Sequence, residues 1–256
     1  MNGISDILNS FEPITLKEMD SVKLMNRTDR KFCFNTDRLS EILNLITSHY
    51  RILEIQQKRL SRYQTLYYDT ANYDLYKLHQ NGKLNRYKIR HRTYIESDLG
   101  FLEVKFKNNK GRTIKSRVNN REVPSEWKAT HTEFINLKTP YNPEVLIPAI
   151  WINYNRLTLV NKTSAERLTI DLNLEFIKNE TTLGFDKLVI AEVKQDKKNN
   201  SPFFNVMKQM HIREGSISKY AMGIALTCDV KKNNFKPKLK TISKIAHDNH
   251  HTFTSH

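Results

Sequence analysis

Cysteine is scarce in this chain, which has only Cys33 and Cys228 among its 256 residues. Two cysteines this far apart do not suggest a disulfide framework, so a reducing, cytoplasmic compartment is the simplest expectation. Long apolar runs are also missing, since no stretch approaches the roughly 20 residues of a membrane-spanning helix. No charged-then-apolar signal segment opens the sequence. We therefore expect a cytoplasmic protein without a transmembrane segment.

Familiar catalytic motifs are equally scarce. The seven glycines include no phosphate-cradling loop of the right spacing, and Gly82, Gly100 and Gly111 fit turns instead. No Ser/His/Asp or Cys/His arrangement for nucleophilic catalysis stands out. The sequence therefore gives no sign of catalysis by a covalent nucleophile.

Acidic residues are in short supply, with 27 Asp and Glu against 42 Lys and Arg, a net charge of +15. This balance indicates a polyanionic partner, which composition alone leaves open between nucleic acid, anionic lipid and polyphosphate. Aromatic residues such as Tyr87, Tyr94 and Phe106 near the basic runs would suit nucleic acid. However, Phe106 continues the alternate apolar positions of Leu102 and Val104, so we expect it to point into the core with them. We therefore expect no nucleic-acid partner.

The excess positive charge concentrates between Arg86 and Arg117, where ten Lys/Arg stand against three Asp/Glu, a net +7 in 32 residues. Charged residues occupy every second position in three runs. These are Arg86, Lys88, Arg90 and Arg92 in the first, Glu103, Lys105 and Lys107 in the second, and Lys115 and Arg117 in the third. Successive side chains of a strand point to opposite faces, so each run has one charged face. A solvated hairpin would explain one run. Three runs favour a curved sheet or barrel whose basic inner face holds a phosphate-rich ligand.

The remaining patterns predict an α+β architecture: seven or eight strands in an antiparallel barrel with a basic interior, coated by helices. We expect a lead-in over 1–22, the barrel domain over 23–229 and a basic, mobile tail over 230–256. The tail residues 231–244 could form a weak patch for an anionic membrane. His247, His250 and His251 could bind a metal, although without a second ligand cluster we expect them to be solvated.

Three carboxylates stand among the cations of the predicted strands: Glu103, Asp171 and Glu192. Each could simply neutralise a neighbouring cation. Carboxylates beside phosphate-binding cations can also hold a hard divalent metal, which takes one or two carboxylates together with phosphate oxygens and water. For Glu103 and Asp171 we favour ion pairing.

Nine short motifs occur in an order that resembles the VTC domain, the polyphosphate polymerase branch of the triphosphate tunnel metalloenzymes. They are Arg27-Thr-Asp-Arg-Lys31, Tyr67-Tyr-Asp-Thr70, Arg86-Tyr-Lys-Ile-Arg-His-Arg92, Leu102-Glu-Val-Lys105, Lys115-Ser-Arg117, Tyr154-Asn-Arg156, Arg167-Leu-Thr-Ile-Asp171, Glu192-Val-Lys194 and Ser218-Lys-Tyr220. The resemblance covers about residues 20 to 228. It implies a closed antiparallel eight-stranded β-barrel, the triphosphate tunnel. It also implies that the ATP γ-phosphoryl group is transferred to a growing polyphosphate chain inside this tunnel, with Mn²⁺ or Mg²⁺ as cofactor.

The resemblance also implies the roles of individual residues. Cations that hold the triphosphate would be Lys31, Arg90, Arg92, Lys105, Lys115, Arg156 and Lys219. The catalytic set would be Arg90, Arg92, Lys105, Arg156 and Glu192. Glu192 would be the metal carboxylate and Lys194 its basic neighbour, with Tyr154, Arg167 and Ser218 as supporting phosphate contacts.

One departure separates this chain from the hydrolytic relatives, which begin with a Glu-x-Glu-x-Lys strand. Here the matching segment is Arg27-Thr-Asp29-Arg-Lys31, so a basic residue replaces the first glutamate. This favours holding a long polyanion over activating a metal-bound water. The alternatives are a metal-dependent inorganic or nucleoside triphosphatase and a non-catalytic polyphosphate- or nucleotide-binding module. A membrane-associated partner protein is left open, since the transmembrane helices and phosphate-sensing domain of some members are not found here.

Overall fold

The computed structural model describes residues 2–21, 27–196 and 200–247. The strands are β1 (Glu12–Ile14), β2 (Arg27–Asn35), β3 (Tyr50–Leu53), β4 (Ser61–Asp69), β5 (Arg86–Tyr94), β6 (Leu99–Lys107), β7 (Thr113–Asn119), β8 (Ile147–Asn161), β9 (Glu166–Lys178), β10 (Thr181–Phe185), β11 (Leu188–Asp196) and β12 (Glu214–Gly215). The helices are α1 (Asn2–Asn9), α2 (Leu16–Ser21), α3 (Leu39–Ile46), α4 (Asp74–Gln80), α5 (Ala129–Lys138), α6 (Pro202–Gln209), α7 (Lys219–Thr227) and α8 (Lys236–His247).

One sheet of twelve strands contains all of these strands, in the order β12-β2-β11-β9-β8-β4-β5-β6-β7. The strands along this path pair antiparallel, and β1, β3 and β10 attach at its margin. The register places Arg90 beside Glu103, and Lys31 beside Glu192. Side chains from distant parts of the sequence therefore meet on one face, which we call the basic face.

The prediction of a closed eight-stranded barrel is wrong, because the sheet is open. Within the described residues β7 pairs only with β6 and β12 only with β2, so the two ends of the path do not join. Helix α7 lies on the basic face, where Tyr220 stacks on Tyr67 of β4 with ring centroids 4.9 Å apart. A closed barrel of eight strands has room inside for side chains, whereas a helix is about 10–12 Å wide. Accommodating α7 therefore requires an opened sheet.

The opposite face of the sheet is apolar and is covered by helices. Leu157, Ile170 and Val193 from three strands pack in one cluster with the buried stripes of α3 and α6. A second cluster places Ile89 and Leu102 in the same core as Ile135 of α5. The alternation read in β5 and β6 is therefore correct, since the cations of these strands share one face and the aliphatic residues share the other.

The alternating apolar residues of β9, from Leu168 to Phe176, do not all lie on one face of the sheet. Leu168, Ile170 and Leu172 lie in the cluster on the apolar face, whereas Leu174 and Phe176 join the cluster around α7 on the basic face. The pairing with β8 shifts register at this point. Asn173 adopts φ of 51°, a left-handed conformation that inserts a bulge and exchanges the two faces. Strict alternation cannot reveal such an exchange.

Asn173→Val should lower the free energy of unfolding by about 1–2 kcal/mol, because a β-branched residue tolerates the left-handed conformation poorly. Asn173 is exposed, so little packing is lost in either replacement. Asn173→Gly is the matched control and should retain or raise stability, since glycine adopts positive φ freely. Urea unfolding of the three proteins measures both effects, and equal midpoints for the two variants would contradict the role of the bulge.

The C-terminal segment forms more regular structure than the predicted tail. Residues 236–247 form α8, and Ile242 from this helix is 5% exposed within the cluster around α7. The sequence analysis missed α8 because four lysines obscure its apolar positions, which include Leu239, Ile242 and Ile245. His250 and His251 lie outside the described residues. Within the described chain, no helix has the length and apolar character to cross a membrane.

Candidate active site

The centre of the basic face holds a buried charge cluster on β5 and β6. Arg90 Nε lies 2.7 Å from Glu103 Oε2, and its Nη1 donates to Tyr67 Oη at 2.9 Å. Glu103 is 0% exposed and also pairs with Lys115 of β7. Burial alone would raise the pKa of Glu103, but Arg90, Arg92 and Lys115 outweigh it and hold the pKa well below its usual range. Glu103 therefore stays ionised and fixes two of the predicted phosphate ligands.

Two further predicted ligands lie beside this cluster. Arg92 Nε donates to Thr65 Oγ1 at 3.2 Å, and its guanidinium lies over the rings of Tyr63 and Tyr154. Lys105 is crowded by cations: the charge of Arg90, then burial, then Arg92 lower its pKa well below the ordinary value. Such a lysine lacks sufficient negative charge around it, so an incoming anion would be attracted strongly.

A second charge cluster joins β8, β9 and α7. Arg156 binds Asp171 with two nitrogens, at 2.6 Å to Oδ1 and 2.8 Å to Oδ2. Lys219, the first residue of α7, pairs with the same carboxylate and lies over the Tyr154 ring, 4.7 Å from its centroid. Burial alone would raise the pKa of Asp171, but Arg156 and Lys219 outweigh it and lower the pKa to about 2. The start of α7 is thus anchored to the sheet by charge.

The third cluster lies on β11 and β2. Glu192 Oε1 contacts Lys194 Nζ at 2.6 Å and Lys31 Nζ at 3.2 Å. The side chain of Glu192 is 19% exposed, against 0% for Glu103 and 3% for Asp171. Glu192 is consequently the carboxylate of the three that solvent and ligands can best reach.

The structure brings nearly all of the predicted site residues to the basic face. The residues it assembles there are Lys31, Arg90, Arg92, Lys105, Lys115, Tyr154, Arg156, Glu192, Lys194 and Lys219. Ser218 caps α7 by accepting from the Ala221 amide at 3.3 Å and also accepts from Lys88 Nζ at 2.9 Å. Arg167 is the register partner of Lys194, and its Nη2 also donates to the Met19 carbonyl of α2 at 3.3 Å, so part of its hydrogen bonding holds α2 against the sheet.

Sequence reasoning missed the aromatic floor of the site. Tyr63 and Tyr67 of β4 lie under the guanidinium groups of Arg156 and Arg90, with distances of 4.9 and 5.7 Å to the ring centroids. The alternation Tyr63-x-Thr65-x-Tyr67 was a usable signal, because it places all three side chains on one face of a strand next to β5. Asp69, which ends the same strand, pairs with Tyr220 and accepts from the amides of Leu75 and Tyr76 at 2.9 and 3.0 Å.

This arrangement suits a flexible polyanion. Each of the three carboxylates is already shared between two cations, so it immobilises them without cancelling the excess of positive charge. Tyr154 is 2% exposed, and its hydroxyl has no hydrogen-bond partner in the described part of the chain. A buried hydroxyl without a partner is costly, and a phosphate oxygen would satisfy it. The basic face therefore has hydrogen-bond donors held in fixed positions and more positive than negative charge, which is what binding of a polyanion requires.

The residues of the site could hold a metal ion only through one carboxylate, that of Glu192. Among the described residues there is no group of three His, Cys, Asp or Glu side chains that could enclose an ion. Both lysines contact Oε1 of Glu192, so Oε2 is the oxygen that would ligate a cation. A hard divalent metal can be held by one carboxylate when phosphates supply its other ligands. The residues thus fit a metal that arrives with the phosphate chain.

Comparison with solved structures agrees with the observed fold. A Hippeastrum protein, provisionally named an adenylyl cyclase and described by a dominant triphosphatase activity, is 13% identical, with a TM-score of 0.51 over 82% of this chain and 99% of its own. A provisionally named adenylate cyclase of Vibrio parahaemolyticus is 10% identical, with a TM-score of 0.48 over 78% of this chain and 99% of its own. No curated protein matches the chain.

A family model describes most of the sequence. The VTC domain matches residues 26–228, which span β2 to the end of α7 and include every predicted site residue. The motifs that carried the resemblance are therefore distributed through one continuous match. The chain belongs to the VTC domain family.

Proposed function

We propose that this chain transfers the γ-phosphoryl group of ATP to the end of a growing inorganic polyphosphate chain. The observation that carries the proposal is Lys105, a half-buried lysine whose pKa the charge of Arg90, then burial, then the charge of Arg92 lower well below its ordinary value. A face that keeps such a lysine among arginines is built for a dense polyanion. The match to the VTC domain family supports the same conclusion.

The reaction requires little covalent chemistry from the protein. A terminal oxygen of the acceptor chain forms a bond to the γ-phosphorus as the bond from that phosphorus to the β–γ bridging oxygen breaks, which yields ADP and a chain longer by one phosphate. Arg156 and Lys219, fixed by Asp171, can neutralise the phosphate oxygens, and the Tyr154 hydroxyl can donate to one of them. A divalent metal at Glu192 would supply further neutralisation of phosphate charge.

Hydrolysis of a triphosphate is the second candidate, because the Hippeastrum structure with this fold is described by its triphosphatase activity. The two reactions differ in the acceptor, which is water in one and a phosphate chain in the other. Asp29 is the acidic residue that remains in the first strand motif. Its negative charge partly opposes the lowering of the Lys194 pKa by burial. A strand with one carboxylate and several cations favours holding the acceptor chain.

The test is purified protein with ATP, Mn²⁺ and short polyphosphate, with chain length followed on gels beside ADP and free phosphate. We expect chain growth in step with ADP, and little free phosphate. Glu192→Gln should lose the metal-dependent part of the rate, whereas Lys110→Ala in the β6–β7 turn should match the wild type. Phosphate release without chain growth would instead establish the hydrolase.

A further inference from the structure

A cavity lies beside α8, at the end of the basic face where β5 begins and β6 ends. It has a volume of about 450 Å³ and contains the four cations Arg86, Lys88, Lys107 and Lys238 in its wall. We call this cavity the α8 pocket. Lys238 comes from α8, which lies outside the family match that ends at residue 228.

The α8 pocket differs from the centre of the basic face in its charge balance. Its lining contains no Asp or Glu within the ranges that the structure describes. Lys88 Nζ donates to Ser218 Oγ at 2.9 Å, and Lys238 Nζ donates to Ser216 Oγ at 2.6 Å, so both ammonium groups bind neutral hydroxyls. In the centre, by contrast, Glu103 and Asp171 each pair with two cations. The pocket therefore has an uncompensated positive charge.

Two side chains of α4 in the pocket wall add unused polar atoms. Gln80 is 2% exposed, and its Nε2 has no hydrogen-bond partner among the described residues. The Nδ1 atom of His79 is also buried and also lacks a hydrogen-bond partner among the described residues. Burial, and then the positive charges of all four cations of the pocket, lower the pKa of His79 to about 2. The ring is therefore neutral, and its surroundings are positively charged. Four convergent cations and a buried amide donor describe a site for an anion.

The α8 pocket is continuous with the centre of the basic face. Lys88 is the register partner of Lys105, and Arg86 is the partner of Lys107. Burial, and then the cations that surround Lys88, lower the pKa of Lys88 to about 7. Alternate residues along a strand are about 6.6 Å apart, so this row of cations extends the central site by two further steps. A ligand that leaves the centre along β5 meets another pair of cations at each step.

We propose that the α8 pocket is a second phosphate-chain site, which binds the segment of a linear polyphosphate that extends beyond the triphosphate in the centre. This inference rests on the proposed function, because it takes the ligand of the centre to be a phosphate chain. The pocket adds chain-length preference to the site. Helix α8 is then part of the binding surface, through Lys238.

The experiment measures dissociation constants by calorimetry on the full chain for tripolyphosphate, a longer linear polyphosphate, ATP and orthophosphate. Wild-type protein should bind the longer chain more tightly than tripolyphosphate. Lys238→Ala and Lys107→Ala should each weaken binding of the longer chain about tenfold, as expected for one charge-assisted hydrogen bond. Both variants should leave tripolyphosphate affinity unchanged. Lys240→Ala is the matched control, since it removes the same charge from α8 outside the pocket.

Several results would overturn the second site. An equal loss for tripolyphosphate and the longer chain would place the two lysines in the central site, and a loss confined to ATP would assign the pocket to the nucleoside. Binding of orthophosphate alone at the pocket would make it a single-anion site. A loss in Lys240→Ala as large as that in Lys238→Ala would reduce the effect to general charge. Length-dependent binding without any chain growth would overturn the proposed function and retain the second site.

Discussion

Replacing Lys105 with methionine is expected to lower kcat/KM for phosphoryl transfer by about 10²–10³-fold, the cost of removing one positioned charge donor at a reacting phosphate. The same variant should keep or raise the free energy of unfolding. The reason is that Arg90, burial and Arg92 all disfavour the charged form of Lys105 in the free protein. Methionine keeps the apolar stem of the lysine and removes the charge. Loss of activity without loss of stability distinguishes a ligand-binding cation from a structural one.

The measurement combines steady-state kinetics with urea unfolding, with and without tripolyphosphate. Tripolyphosphate should raise the unfolding midpoint of the wild type much more than that of Lys105→Met. Lys110→Met is the matched control, because Lys110 is an exposed lysine in the turn that follows β6. A variant that unfolds more easily yet retains full activity would show that Lys105 belongs to the structural framework.

Glu103→Gln should have the opposite signature, a loss of about 3–5 kcal/mol in the free energy of unfolding, as for one partner removed from a buried ion pair. Glu103 is 0% exposed, and the change leaves Arg90 and Lys115 without their shared anion. Glu214→Gln is the control, because its partner Arg30 and Glu214 itself are about half exposed. An exposed pair of this kind contributes roughly 0–1 kcal/mol.

The pH dependence gives a second readout for Glu103. Although burial raises the pKa of Glu103, the charges of Arg90, Arg92 and Lys115 hold its folded pKa below the ordinary value of 4.5. Its stabilising contribution is therefore present above pH 4.5 and is lost as the pH falls through the folded pKa. The stability difference between wild type and Glu103→Gln should therefore shrink in acid. A difference that stays constant from neutral pH down to strongly acidic pH would mean that packing of the side chain, and not its charge, is responsible.

The basic face was predictable because the pattern that encodes it is local. In β5 the alternation of Arg86, Lys88, Arg90 and Arg92 with apolar or mixed residues fixes which side chains share a face. The pairing of β5 with β6 in one hairpin then places Glu103 beside Arg90, so this contact follows from neighbouring sequence alone. The resemblance placed Lys31 and Glu192 in the same site, but their contact was not predicted, because it joins strands that are far apart in sequence.

The closed barrel was predicted wrongly, and helix α8 was not predicted, for physical reasons that alternation does not contain. Whether a sheet closes depends on what occupies its inner face, and Gly223 of α7 shows how tightly that face is filled. A Cβ atom there would lie 2.7 Å from Phe176 Cδ1. The bulge at Asn173 and the burial of Ile242 likewise depend on contacts made only after the chain has folded.

The open sheet has a consequence for how a polymer could enter and leave. A closed tube can be loaded only by threading a free chain end, whereas a trough admits the middle of a chain from the side. In the described part of the protein β7 and β12 do not pair with each other, so the sheet forms a trough and not a tube. If the ligand is polyphosphate, the protein need not find a chain end in order to bind, and it can release a long product without sliding along it. Capture would then scale with the number of internal phosphates, whereas elongation would scale with the number of ends.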